Sequence, residues 1–389
     1  MEMINKLRYL NSKLIRRKKE LNTDEQKKYL GSFPEPKNNL ERSFFQYKCQ
    51  MKANGILYRV MSNIASFFLF VLKILSIYVH KHEKKNMSTN YLNDEAVFFK
   101  EALDCSYLPY ELTNKYNKIY CANYLDAHFL DKNDIKFIMK LLKLNPFSFF
   151  WVYKSLIKIS SYHGQIINRK PKAIITSSEY SFTSSLLTDY CEMMGVQHIN
   201  IQHGEKIFEI VDAFCSFHTF YVWDNWYAKV VKSLRANGSQ FVVAGVPLID
   251  EMCSEVKSIN IEYKKVYDMK YYLGGEGDED LKNLSIMLSQ LIERGYSIKV
   301  RPHPRYTNLK LLKTYFSQEL IEDYVDISLV ESFATTCAII SFKSAVLFQA
   351  FKCGKITYID DVTNKDAYME LQQQEYIMIE KSEKISSIF

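Results

Sequence analysis

The sequence predicts an α/β protein built from two doubly wound parallel-sheet domains behind a basic, partly apolar helical N-terminal segment. Three observations predict it. The chain of 389 residues suits two or three domains rather than one. From about residue 115, short apolar runs rich in β-formers recur with room for a helix between most neighbours, the alternation that produces parallel sheets covered on both faces. Basic charge is concentrated in the first fifth of the chain. A hydrophobic share of 47% and a charged share of 24% exclude disordered and collagen-like chains. Tyr (28) and Phe (25) far outnumber Gly (12) and Pro (8), which suits packed helices and buried strands rather than flexible linkers.

The N-terminal segment comes first. Residues 1–54 carry 13 Lys/Arg against 6 Asp/Glu, residues 55–85 carry 5 against 1, and the remaining 304 residues sum to −4. A footprint for nucleic acid over the whole protein is therefore not expected. The most apolar run, Val60 to Val79, approaches the ~20 residues of a membrane span, but Lys73 interrupts it and Ser62, Asn63, Ser66 and Ser76 dilute it. With Arg16, Arg17, Lys18 and Lys19 before it and Lys81, Lys84 and Lys85 after it, the run reads as an interfacial helix drawn to an anionic membrane surface. The alternatives are a helix buried against the body and a true span.

The strands follow in two series. The first reads KIYCANY (118–124), AIITSS (173–178), HINIQH (198–203), TFYVWD (219–224) and FVVAG (241–245). The second reads MKYYLGG (269–275), SIKVRPHP (297–304), YVDIS (324–328), CAIISF (337–342) and KITYID (355–360). The series divide near residues 250 to 265. The expected organisation is a helical extension over 1–85, a first Rossmann-like domain over 86–255 and a second over 256–389. Eight cysteines at 49, 105, 121, 191, 215, 253, 337 and 353 contain no C-x-x-C pair, so a zinc or thioredoxin-type site is not expected and a reducing cytosol is the simpler setting. No signal peptide is read at the N-terminus.

In doubly wound sheets, ligands bind beyond the carboxyl ends of the strands, so residues just after each run carry the chemistry. Gly274 and Gly275 follow the first strand of the second series, where backbone N–H groups approach a phosphate or simply form a tight turn. In Arg301-Pro302-His303-Pro304-Arg305 two prolines fix the backbone about an imidazole, with a guanidinium on either side, which makes an anion clamp. In Ser341-Phe342-Lys343-Ser344, Ser341 is expected as the N-cap and Ser344 in the first turn of the next helix, where unpaired N–H groups favour phosphate. Gln202-His203-Gly204-Glu205 ends a first-domain strand and offers His203 or Glu205 as a general base, with Glu179 of Ser177-Ser178-Glu179-Tyr180 as a rival. Asp278-Glu279-Asp280 matches a metal-binding D-x-D by letters but reads better as the acidic first turn of a helix.

Taken together, QHG at a first-domain strand end, WDNWYAKVV followed by FVVAGVP, then R-P-H-P and S-x-x-S, resemble bacterial GT-B glycosyltransferases of capsule and lipopolysaccharide synthesis. The resemblance covers roughly residues 115 to 380. The His-Pro pair and the serine motif are similar to those of bacterial sialyltransferases, and to those of Kdo transferases and CDP-glycerol polymerases. The resemblance implies two Rossmann-like domains facing a cleft, the acceptor domain over 86–255 and the nucleotide-sugar donor domain over 256–389. It also implies an inverting, metal-independent transferase without a cofactor, using a nucleotide sugar, in the first instance a CMP-activated sialic acid, and an oligosaccharide or lipid-linked glycan acceptor at the inner face of the cell membrane. Donor phosphate then falls on His303, Ser341 and Ser344. The acidic D/E-D/E-G motif of the sialyltransferases has no clean copy in the first domain; Glu276-Gly277 holds part of it in the second. A UDP-sugar transferase, a CDP-polyol phosphotransferase and a non-catalytic scaffold of a polysaccharide assembly complex are the alternatives.

Overall fold

The computed structural model describes residues 21–80, 94–99, 105–124, 130–262 and 264–389. The basic runs Arg16–Lys19 and Lys81–Lys85 lie outside the described residues. Two compact units divide the chain, each a Rossmann-like layer of parallel strands between helices. The first comprises the described residues up to His203 together with Phe208–Ala244, and the second comprises Gly204–Ile207 and Gly245–Phe389.

The first unit opens with α1 (Thr23–Gly31), α2 (Asn39–Lys52) and α3 (Ile56–His80). Asparagine starts the first two: the Asn22 and Asn38 side chains accept from the N–H groups of Glu25 and Glu41. Next come β1 (Ala96–Phe99), α4 (Tyr110–Lys115), β2 (Ile119–Ala122), α5 (Lys132–Leu144), α6 (Phe149–Arg169) and β3 (Ala173–Thr176). The unit closes with α7 (Ser184–Met193), β4 (Gln197–Ile201), β5 (Thr219–Val222), α8 (Asn225–Ser233) and β6 (Phe241–Val243). The sheet order is β2-β1-β3-β4-β5-β6, every pair parallel. Two strands were not expected from the sequence: β1 here and the two-residue strand Glu383–Lys384 of the second unit.

Polar side chains of α1 and α2 tie the start of the chain to segments far along it. Gln46 Nε2 donates to the carbonyls of Glu179 and Val211, Gln50 Nε2 to those of Tyr180 and Val211, and Ser43 Oγ to that of Phe182. Arg235 in turn donates to the carbonyls of Leu30, Phe33 and Pro34 and pairs with Glu35. These bonds satisfy loop carbonyls that the sheet cannot reach. Phe44, Tyr47 and Met51 of α2 join Trp151, Tyr162 and Tyr190 in the main core of the unit.

Helix α3 is the one described helix long and apolar enough to cross a membrane by length and composition, over Ile56–Ser76, and only 6% of that stretch is buried. A helix buried on all sides is thereby excluded. It packs along α6 through Tyr58, Phe70 and Ile74.

The second unit contains α9 (Pro247–Ser258), β7 (Tyr267–Tyr272), α10 (Asp278–Glu293), β8 (Ile298–Arg301), α11 (Leu309–Tyr315), α12 (Leu329–Ala334) and β9 (Thr336–Ser341). It ends with α13 (Ala345–Lys352), β10 (Ile356–Ile359), α14 (Lys365–Gln373), α15 (Met378–Lys381) and β11 (Glu383–Lys384). All pairs are parallel in the order β11-β10-β9-β7-β8. The expected strand at 324–328 is absent. Asp323 Oδ1 accepts from the N–H groups of Val325 and Asp326, so the segment turns instead of pairing, and Val325 is 78% exposed. Beneath the sheet end, Lys270 Nζ meets Glu322 Oε1 at 2.6 Å, while Arg301 Nη1 and Ser332 Oγ both donate to Glu322 Oε2 at 2.6 Å. Disulfides join Cys105 to Cys121 in the first unit and Cys253 to Cys353 in the second, pairings that no sequence spacing announced.

Candidate functional site in the second unit

The chain enters the second sheet at β7, one strand in from its edge. From β7 it passes to β8 on one side and then crosses to β9 on the other, so the carboxyl end of β7 is a topological switch point, where the flanking connections part and leave a crevice. Three loops meet there. A Cβ on Gly274 would lie 3.8 Å from the carbonyl oxygen of Lys343, and one on Gly275 would lie 3.6 Å from Tyr306 Cβ. Thr307 Oγ1 donates to the Gly274 carbonyl at 3.2 Å, and Ser341 Oγ to the Tyr272 carbonyl at 2.7 Å. The loops after β7, β8 and β9 are thus stitched side by side.

His303 is held in place at this edge by its own loop. Its N–H donates to Thr307 Oγ1 at 2.8 Å, and its Nδ1 accepts from the N–H groups of Arg305 at 3.0 Å and Tyr306 at 3.3 Å. The Tyr306 ring lies 4.5 Å from the imidazole, centroid to centroid. Two backbone donors on Nδ1 leave the proton on Nε2, so the neutral ring presents an N–H. Burial, and then the Arg305 guanidinium, hold its pKa below the usual value, which keeps it neutral near pH 7.

The serine loop differs from expectation in one detail. Ser344, not Ser341, is the N-cap of α13: its Oγ accepts from Val346 N–H at 3.3 Å. Ser341 completes β9 and is fully buried, because its hydroxyl is spent on Tyr272 of the neighbouring strand. Ser344 is further held by Tyr376, whose hydroxyl accepts from its N–H at 3.4 Å and donates to its carbonyl at 3.1 Å. Lys343, between the two serines, is exposed.

Two expected anion contacts are occupied by protein. The Arg301 guanidinium is held by Glu322 and the Ile327 carbonyl, so it belongs to the buried network and leaves the clamp to His303 and the exposed Arg305. The Gly274 N–H donates to Glu276 Oε1 at 2.9 Å; Gly275 is exposed. Asp278, Glu279 and Asp280 form the first turn of α10, and two of them are engaged: Asp278 accepts from Tyr315 and Asp280 from Asn364.

Of the three candidate bases, Glu205 packs with the second unit rather than the first, despite following a first-unit strand. Its Oε1 is buried and without a hydrogen-bond partner among the described residues. Burial pushes its carboxyl up to about 7, opposed by the positive charge of Lys343. Its charge also acts on Tyr376, the residue that holds Ser344. A carboxyl poised near neutrality beside the start of α13 can take a proton from a bound hydroxyl. Glu179 differs: it is fully buried in the first unit, and its two oxygens accept from His203 N–H and Asn200 Nδ2, each at 2.9 Å. That pairing makes it a brace between strand ends. His203 lies in the first unit, its ring 5.1 Å from that of Tyr180 and its Nδ1 buried without a hydrogen-bond partner among the described residues.

Sequence reasoning missed Tyr306, Thr307 and Tyr376 as partners of the site. Lys343 and Glu276 stood inside quoted motifs. Tyr376 lies 32 positions from Ser344, and nothing local marks it.

No protein-family model matches the chain, and no curated protein matches it. Among solved structures it is similar to the UDP-GlcNAc 2-epimerase of Methanocaldococcus jannaschii in complex with UDP-GlcNAc and UDP, at 13% identity and a TM-score of 0.42 over 68% of this chain and 83% of that one. The UDP-GlcNAc 2-epimerase of Neisseria meningitidis bound to UDP-GlcNAc gives 12% and 0.41 over 70% and 84%. The wall teichoic acid polymerase TagF gives 12% and 0.38 over 77% and 78%. The assignment of two Rossmann-like units stands on the chain's own strand order.

Proposed function

We propose that the chain is a transferase that uses a nucleotide-activated sugar, binding the donor phosphate at the carboxyl edge of β7, β8 and β9. The observation that carries the reading is the pinned imidazole: two backbone N–H groups on Nδ1 of His303 commit Nε2–H to an external acceptor, next to the capped start of α13 and the exposed Lys343 and Arg305. Such a set is aimed at negative charge and needs no rearrangement to meet it.

In the step that this set supports, an acceptor hydroxyl attacks the anomeric carbon of the donor sugar. The C–O bond to the nucleotide phosphate breaks, and both its electrons leave with the phosphate. His303 Nε2–H, the positive end of α13 and the nearby cations meet the developing charge. Glu205 takes the hydroxyl proton, which inverts the anomeric centre by direct displacement. We read the reaction as independent of metal and cofactor. The R-P-H-P and S-x-x-S motifs favour a cytidine-linked donor, with a CMP-activated sialic acid as the first candidate and a glycan as acceptor.

Thermal unfolding with CMP, CDP or UDP tests this. A ligand bound only by the folded chain stabilises it by about 2.7 kcal/mol at 100 times its Kd. CMP or CDP is expected to raise the melting temperature of the wild type and not of His303→Ala. A response to UDP alone moves the donor to UDP-sugars, a response to CDP alone favours polyol phosphate transfer, and no response to any of the three refutes the nucleotide site.

A further inference from the structure

The geometry points to one face of α3 as the surface by which this protein lies on an anionic lipid leaflet, a property independent of the nucleotide site. At 100° per residue, Tyr58, Asn63, Ser66, Phe70 and Ile74 fall on one side of α3, and this is the side that packs on the body: Ser66 is buried, and Tyr58, Phe70 and Ile74 rest against the core. Leu57, Val60, Ile64, Phe68, Leu72 and Leu75 fall on the opposite side, each between 50% and 61% exposed. The stripe runs unbroken from one end of the described side chains to the other. A soluble surface seldom leaves such a continuous apolar face uncovered.

The helix is fixed to the body and does not swing free. Asn63 Nδ2 donates to the Phe147 carbonyl at 2.8 Å while its Oδ1 accepts from Phe150 N–H at 2.9 Å, a two-point clamp on the turn that opens α6. That turn places Phe147, 82% exposed, beside the helix as a second apolar projection. A helix held along one side cannot surround itself with lipid, so it lies in the interface and does not cross it.

Charge selects the occupant. Between Glu41 and Glu83 the sequence contains no Asp or Glu, while Arg42, Lys48, Lys52, Arg59, Lys73 and Lys81 fall in the same interval. Residues 1–85 as a whole carry +11. A second copy of the chain would bring the same excess of basic residues against this one. An anionic headgroup layer supplies the complementary charge, and its acyl boundary takes the apolar side chains.

Flotation of the full chain with vesicles tests the inference, comparing phosphatidylcholine alone with phosphatidylcholine containing phosphatidylglycerol. The wild type is expected to float with the anionic vesicles at low salt and to be released in large part at high salt. The double substitution Phe68→Ser with Leu72→Ser is expected to weaken binding at least about tenfold, since each removes a large apolar side chain from the lipid. Circular dichroism reports whether the variant keeps its fold, and Phe147→Ser, outside α3, gives a second and smaller loss. Binding unchanged in the double variant overturns the inference. So does failure to float combined with a dimer, seen by light scattering, that the same substitutions dissociate. Wild-type chain that leaves the vesicles only with detergent marks a span and overturns it as well.

Discussion

Replacing Glu205 with Gln probes the candidate base through stability and rate together. Burial lifts this carboxyl from 4.5 to about 7, with Lys343 opposing. The native state therefore keeps a proton that the unfolded chain has already released. Between about pH 4.5 and pH 7 the unfolded state binds fewer protons, and stability falls as pH rises. Each pH unit of that gap is worth about 1.4 kcal/mol, so the ionised carboxyl costs at most about 3 kcal/mol above pH 7, less what water at its partly exposed edge screens. Glutamine has the same shape and never ionises. Urea unfolding at pH 4.5 is expected to give equal stabilities, and at pH 8 the variant is expected to lead by about 1–3 kcal/mol, roughly 3–10 °C in melting temperature. Its turnover is expected to fall about 10²–10⁴-fold, and wild-type turnover to rise with pH through an apparent pKa near 7. Parallel pH dependence in the two proteins would refute the buried carboxyl. A more stable variant with undiminished turnover would leave Glu205 a buried acid and no base.

Two further substitutions separate function from scaffold. His303→Asn keeps an acceptor for the Arg305 and Tyr306 N–H groups but removes Nε2–H, so folding should hold while turnover drops at least about 10²-fold; steady-state kinetics beside a melting curve decides. Glu322→Ala leaves Lys270 and Arg301 buried without their shared counter-ion and is expected to destabilise by about 3–5 kcal/mol in urea, whereas Lys270→Met combined with Glu322→Leu should cost less.

The fold was legible because buried parallel strands write themselves as apolar runs: nine of the ten expected strands are present, and their order gives the two sheets. The misses have local causes. AVFF at 96–99 is a run of only four residues beside Asn93, Asp94 and Glu95, too short to stand out by pattern. YVDIS has strand composition, but the Asp323 side chain captures its N–H groups. At the site, the residue types at the strand ends were readable, since topology alone sends ligands there. Which of them are already engaged was not. Arg301 is taken by Glu322, 21 positions away, and Ser341 by Tyr272, 69 positions away, and no window of sequence contains such pairs. The exchange of roles between Ser341 and Ser344 has the same origin: β9 runs to Ser341, so the helix cap moves to the next available hydroxyl.

The bonds from α1 and α2 to the 179–182, 210–211 and 235 segments also set a timetable for the ribosome. Residues 23–52 are made early, yet the carbonyls that receive Gln46 and Gln50, at 179, 180 and 211, and the guanidinium that caps the end of α1, at 235, come more than 120 residues later. At about 5–20 residues per second, Arg235 follows Lys52 by roughly 10–40 s. Until residues 97–196 have followed, Phe44, Tyr47 and Met51 have no core to enter, and the uncovered stripe of α3 emerges directly behind them. The opening helices of this chain are made early and have their full set of bonds only once Arg235 has been added.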